Sequence, residues 1–401
     1  MEKIIMHIDV NNAFLSWSAV KLLNEGYEDI RNTYAIIGDT ENKRHGIVLS
    51  KSTPIKKLGV KTAEPIFMAK KKCPSLKVYK PDYNFYKKMS NSMFALISKY
   101  TPDIEIMSID ECFLDYTPIK HLYGDAVKFA YKLKEEIKKE LGFTVNVGVA
   151  NSKLCAKMAS DFTKPDRVHT LFMDEIDTKM KPLPIEELFF IGKRTGEKLR
   201  KLNINTIKDL SVKDPSKLYP YFKNQAFKMV EYANGIDNSP VDSTKTISKG
   251  ISNSVTINHN LIHKEEVYEI LESISENISA QLIKEKRYAS VVRVQLKNSM
   301  FKNYTHQVKL NNATNSMNII FENAKNLASE MWKDEPIRLV GLGVDGLTDK
   351  VHYQFSLFED VSENVQNQEL NEILDKIKSK YGSSSITKAS LLGKTQVRKK
   401  Y

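Results

Sequence analysis

The sequence predicts a multidomain α+β protein. Residues 4–149 read as strand, helix, hairpin, helix and strand, with acids at the strand ends. A polar stretch over 234–246, carrying Gly235 and Pro240, then divides the chain, and a second mixture of strands and helices follows it. A chain of 401 residues with 41% hydrophobic composition is long enough for two to four cores of ordinary domain size.

Each element has its own signal. Residues 4–10 form a short apolar run, too short for a helix, that stops at Asp9 before a helix-like segment over 13–23. Residues 104–109 and 112–115 give two further strands, with Asp110 and Glu111 at the tight connection between them. From Asp125, a suitable N-cap, Ala126, Ala130, Leu133, Ile137 and Leu141 recur at helical spacing until Gly142 closes the helix. Phe143, Val145, Val147 and Val149 alternate, the pattern of a strand that is half buried or at a sheet edge. A basic insertion occupies roughly 24–75, and short helical pieces run over 185–232 around Ile191, Gly192 and Lys193. Beyond the polar divide, 290–296 and 307–310 read as strands, 264–283 and 317–331 as helices, and 338–344 as a closing strand. The polar end after Tyr353 reads as extended and then partly helical.

Charge and cysteine usage narrow the class. Lys and Arg number 61 against 49 Asp and Glu, a formal +12, which suits a polyanionic partner such as nucleic acid as well as it suits a lysine-rich solvated surface. Cys73, Cys112 and Cys155 stand far apart, with neither disulfide nor zinc spacing, the usage of a reducing cytoplasm. The first residues lack the pattern of a signal peptide, and no apolar run approaches a membrane span.

Asp9, Asp110 and Glu111 carry the chemistry. Phosphoryl transfer with paired metal ions needs carboxylates converging on a gap of about 4 Å. Acids at the ends of neighbouring strands, about 5 Å apart, meet that need. Any one of them alone reads as a helix cap or a turn residue. Two adjacent charges beside Met107, Ile109, Cys112, Phe113 and Leu114 would be poorly solvated without a cation.

Three segments raise these acids to a family pattern. Ser108-Ile109-Asp110-Glu111 resembles the S-I-D-E signature of Y-family DNA polymerases, and His7-Ile8-Asp9-Val10-Asn11-Asn12-Ala13-Phe14 resembles their first metal motif. The run from Gly148 through Lys153, Lys157 and Asp161 to Lys164-Pro165 is similar to a third. The resemblance covers nearly the whole chain. It implies a right-hand polymerase with palm (1–23 and 76–165), small fingers (24–75), helical thumb (166–233), linker (234–246), a separate α+β little finger (247–350) and a tail (351–401). It further implies template-directed, low-fidelity translesion synthesis by a monomer on primer-template DNA, with deoxynucleoside triphosphates as substrates.

Residue by residue, the resemblance gives Asp9, Asp110, Glu111 and the Val10 carbonyl to two Mg²⁺ ions per site, for which Mn²⁺ could substitute. Phe14 falls at the steric gate, where an aromatic ring blocks the ribose 2′-hydroxyl; an inserted residue at Asn11-Asn12 would move that role to Leu15. Lys153 would contact the triphosphate. Where many members carry Tyr and Arg in the fingers, this chain has Thr53 and Lys56: a hydroxyl without a ring, and a charge without the bidentate fork. Gly192, Lys193, Arg194 and Gly196 resemble one helix-hairpin-helix, whose amides receive DNA phosphates; without the palm motifs they read equally well as a plain turn between helices. Gln354, Leu357 and Phe358 resemble the bacterial sliding-clamp peptide, one polar anchor and two apolar plugs, or else a terminal core strand.

Two other classes compete. A DNA-binding scaffold without chemistry leaves unexplained three acids that would repel the phosphates they face. A metal-dependent nucleotide cyclase shares a palm-like fold and an acidic hairpin but needs neither a helix-hairpin-helix nor a clamp peptide. Copying of a template separates all three.

Overall fold

A computed structural model describes residues 3–39, 46–244 and 248–349, and beyond them positions 373, 377, 385 and 386. The chain divides into two compact units, one ending at Lys245 and the other beginning at Thr246.

The strands of the first unit are β1 (Ile5–Val10), β2 (Ala35–Ile37), β3 (Ser50–Lys51), β4 (Lys77–Tyr79), β5 (Ile104–Ile106), β6 (Glu111–Asp115), β7 (Val145–Ala150) and β8 (Val168–Leu171). Five of them form one sheet in the order β5-β6-β1-β7-β8, so that β1 runs centrally and antiparallel to both neighbours. One face packs on the helices Tyr83–Ser98 and Ala126–Leu141 through Met93, Ile97, Phe129, Leu133 and Ile137, and helix Lys153–Asp161 covers part of the other. The 126–141 helix has the predicted limits: the Asp125 carboxylate accepts from Lys128 N–H, and Gly142 takes the left-handed conformation at φ 76°. β2, β3 and β4 make a small separate sheet around Ile36, Val48 and Ile55.

Strand β7 departs from its sequence signature. It is buried along its whole length and lies inside the sheet, because β8 adds a parallel edge beyond it. Its apparently polar positions are interior. Asn146 bonds to the Ser160 and Thr163 carbonyls at 2.9 and 2.7 Å, and Gly148 lies so close to helix Lys153–Asp161 that a Cβ would meet the Ala156 carbonyl oxygen at 1.9 Å. Period-two alternation therefore marks two buried faces here, one apolar and one built for close backbone approach.

The second unit is a four-stranded antiparallel sheet of β9 (Gly250–Leu261), β10 (Tyr288–Asn298), β11 (Asn303–Thr314) and β12 (Ile337–Thr348), in the order β11-β10-β12-β9. Helices Lys264–Lys284 and Met317–Met331 cover one face with Leu271, Ile274, Ile278, Ile320 and Leu327. β9 has no counterpart in the sequence reading, since few of its residues are apolar and most of it is partly exposed.

Candidate active site

The pairing of β1 with β6 sets Asp9 directly opposite Glu111, and Val10 N–H donates to the Asp110 carbonyl at 3.0 Å. Cross-strand carboxylates repel, so this register needs cations. Two lysines supply them. Lys157 Nζ lies 2.7 Å from Glu111 Oε2 and 3.3 Å from Asp9 Oδ2, while Lys164 Nζ lies 2.8 Å from Asp9 Oδ1 and 2.8 Å from Asp161 Oδ1.

Local structure aims both side chains. Ser152 caps helix Lys153–Asp161 by accepting from Cys155 N–H, and the approach at Gly148 lays that helix against β7, with Lys157 turned toward the acids. Lys164 is held through its neighbour Asp166. That carboxylate takes Lys134 and Lys138 at 2.6 and 2.9 Å, and its backbone N–H donates to Asn11 Oδ1 at 2.8 Å. His7 shares a strand face with Asp9, two residues away. It is fully buried, with Nδ1 2.8 Å from Ser160 Oγ and Nε2 3.2 Å from Glu111 Oε2. One ligand atom each from His7, Asp9 and Glu111 lies within 4.8 Å of the others.

These contacts set the proton affinities. His7 and then Lys157 hold Glu111 down to about 2, against burial acting the other way. Burial pushes Asp110 up, and the charges of Asp9 and Glu111 add to it despite the hydrogen bond from Ser108 Oγ at 2.6 Å. Burial would depress Lys157, but the hydrogen bond to Glu111 and the charge of Asp9 outweigh it and hold the ammonium high. Burial keeps His7 low. The site is a dense set of carboxylate oxygens whose mutual repulsion the protein only partly neutralises. Such a donor set fits a hard, oxygen-preferring divalent cation.

Asp110 sits in the hairpin turn before β6. Val10 is buried at the end of β1. Phe14, partly exposed, stacks on Tyr86, whereas Leu15 is 1% exposed among Ala19, Ile30, Ala35 and Ile37. Lys153 is not brought to the acids: its ammonium takes both oxygens of Glu105 at 2.7 and 2.6 Å and lies 5.2 Å over the Phe113 ring. Thr53 and Lys56 are exposed on the short helix Thr53–Lys57. Gly192 begins helix Lys193–Lys201 facing open space, and Lys193 and Arg194 are exposed. Gly196 is packed, since a Cβ there would meet the Glu186 side chain at 2.6 Å, itself gripped by Arg200. Gln354, Leu357 and Phe358 lie outside the described residues.

Three residues at the acids carried no assigned role in the sequence: His7, Lys157 and Lys164. All three nonetheless stand inside the motifs that carry the resemblance, His7 two residues from Asp9 and both lysines in the third motif. The lysines reach the acids across 148 and 155 residues of chain.

Comparison with known proteins is consistent along the chain. The impB/mucB/samB family matches residues 8–161, the IMS family HHH motif residues 174–204, and the impB/mucB/samB family C-terminal domain residues 248–357. A protein named DNA polymerase IV from Clostridium acetobutylicum is 44% identical, covering 99% of this chain and 100% of that protein. One of the same name from Alkaliphilus oremlandii is 33% identical, covering 98% and 100%. A solved Y-family DNA polymerase chimera shares the fold, with a TM-score of 0.76 at 22% identity over 86% of this chain and 100% of the chimera.

Proposed function

As this chain belongs to the impB/mucB/samB family of Y-family DNA polymerases, we propose that Asp9, Asp110 and Glu111, with the Val10 carbonyl, form its catalytic centre. The protein is a DNA-directed DNA polymerase of translesion synthesis, dependent on divalent metal, acting on primer-template DNA with deoxynucleoside triphosphates. The observation that carries the assignment of the centre is the register Asp9↔Glu111 on adjacent strands, with Asp110 beside it.

In the reaction the primer 3′-oxygen forms a bond to the α-phosphorus, the bond to pyrophosphate breaks, and the hydroxyl proton leaves. Divalent metal, in our reading two Mg²⁺ ions with Mn²⁺ as a substitute, supplies charge neutralisation and activates the hydroxyl when bound. The chain's own part is to keep its carboxylates ionised and aimed. Before metal binds, His7 and Lys157 do this for Glu111, and Lys164 for Asp9.

We assign triphosphate contact to Lys56 with Thr53. Lys153 joins them only if its pair with Glu105 opens, and Lys164, beside Asp9, stands nearer the chemistry. Phe14 is the steric gate. Gly192, Lys193, Arg194 and Gly196 hold the DNA backbone, and Gln354, Leu357 and Phe358 tether a sliding clamp. The palm, fingers, thumb, linker and little-finger boundaries are those of the sequence reading, and the working form is a monomer. No helix among the described residues is long and apolar enough to cross a membrane, and the three cysteines are free, which supports a cytoplasmic location.

Primer extension on a synthetic template tests the reading. Synthesis should require Mg²⁺ or Mn²⁺ and stop with chelator; extension that persists in chelator, or in an Asp110→Ala protein, would remove these acids from the reaction.

A further inference from the structure

Lys157 stands where a cation belongs. Its ammonium bridges Glu111 Oε2 at 2.7 Å and Asp9 Oδ2 at 3.3 Å, with Asp161 at 3.5 Å, and its side chain is only 15% exposed. A divalent ion ligated by the same two oxygens at roughly 2.1 Å would need the volume that this nitrogen fills. Two like charges would also meet at close range in a poorly solvated place. We propose that Lys157 is a resident counter-ion, neutralising Asp9 and Glu111 in the metal-free protein and displaced when metal binds.

The geometry supports an exchange rather than permanent co-residence. Lys157 sits one helical turn before Asp161, whose carboxylate is 48% exposed and already within ion-pair distance of the ammonium. That carboxylate is a second berth: the lysine stem swings outward and the ammonium keeps a partner. Lys164 has the same choice, bonded to Asp9 on one side and Asp161 on the other. His7 stays, because its ring is fully buried and its Nδ1 lies 2.8 Å from Ser160 Oγ. The device keeps three crowded acids from destabilising the protein without metal, and its cost is a weaker hold on metal. Linkage makes the two effects reciprocal: whatever the lysine takes from metal affinity, metal takes from the lysine's ion pairs.

This inference rests on the acid site being the metal site, and the test separates the two. Mn²⁺ binding to the full chain is measured by electron paramagnetic resonance, without DNA or nucleotide. Asp9→Asn should abolish the tight binding; if wild type binds no Mn²⁺, or Asp9→Asn binds it unchanged, the site reading and the counter-ion both fall. Given a site that responds to Asp9→Asn, Lys157→Met should tighten Mn²⁺ by about tenfold, within the usual span of coupled sites. It should also lower the melting temperature in chelator, with the difference closing in Mn²⁺. Lys157→Arg, which keeps the charge, should stay near wild type in both measurements. Folded Lys157→Met with unchanged or weaker Mn²⁺ binding overturns the proposal alone. Should that variant not fold, wild type suffices: acetylation of Lys157, followed by mass spectrometry, should rise severalfold on adding Mn²⁺. Unchanged labelling overturns it equally.

Discussion

The ring of Phe14 lies flat on that of Tyr86, with centroids 4.7 Å apart and planes within 10°, while Tyr83 meets it edge-on at 5.9 Å. Tyr86 is fully buried and its hydroxyl is bonded to Ser18 at 2.6 Å, so Phe14 is backed by a fixed wall and keeps one partly open side. A rigid ring braced from behind is what excluding a single hydroxyl requires. Leu15, one residue on, points into the core instead. Phe14→Ala should therefore raise ribonucleotide incorporation sharply while deoxynucleotide addition falls modestly. Leu15→Ala should keep sugar discrimination and lose about 2–5 kcal/mol of stability. Paired single-nucleotide insertion assays read both; discrimination lost in the Leu15 variant and retained in the Phe14 variant would reverse the assignment.

Replacing Asp110 or Glu111 with Ala should abolish nucleotide addition and leave primer-template binding nearly unchanged. Several kcal/mol of transition-state stabilisation depend on a metal centre, so residual extension should be very small. Gel-based extension and fluorescence-anisotropy binding on the same preparations distinguish a catalytic defect from a folding one.

Metal-free stability should respond to the two neighbours with opposite signs. Glu111 is held low, so its contribution is complete above its ordinary value of 4.5 and is lost as pH falls from there toward about 2. Glu111→Gln should destabilise at neutral pH and flatten that acid limb. Asp110 is held high, so its ionisation opposes folding once pH passes its ordinary value of 3.8. Asp110→Asn should raise the melting temperature in chelator at pH 7. Thermal melts of the two variants between pH 3 and 8 that moved in the same direction would contradict the electrostatics of the site.

Lys193 and Arg194 are exposed at the start of helix Lys193–Lys201, where backbone amides and side-chain charge can reach one phosphate together. Changing both to Ala should reduce the salt dependence of primer-template binding by about one or two units of slope. An unchanged slope would leave only the hairpin amides in contact with DNA.

Deleting residues 354–358, which include Gln354, Leu357 and Phe358, should leave unassisted synthesis unchanged and remove stimulation by a sliding clamp. Stimulation that survives the deletion would place the tether elsewhere.

By itself the sequence determined what local periodicity and capping control. The 126–141 helix, its Asp125 cap and its Gly142 end were legible because a carboxylate, a glycine and a 3.6-residue repeat act within one or two turns. Asp9, Asp110 and Glu111 were legible as acids where apolar strands stop, and the family motifs around them fixed the class of chemistry. Tertiary structure alone decided the rest. It covered the edge of β7 with β8 and its two faces with the helices Ala126–Leu141 and Lys153–Asp161, and it paired β9 with β12 although the pattern of β9 is mostly polar. It also divided the lysines, sending Lys153 to Glu105 and Lys157 to Asp9 and Glu111, although the two sit one turn apart on one helix. Ion pairs form between whichever charges the strand register and helix packing bring within about 4 Å, and spacing along the chain carries no record of that distance.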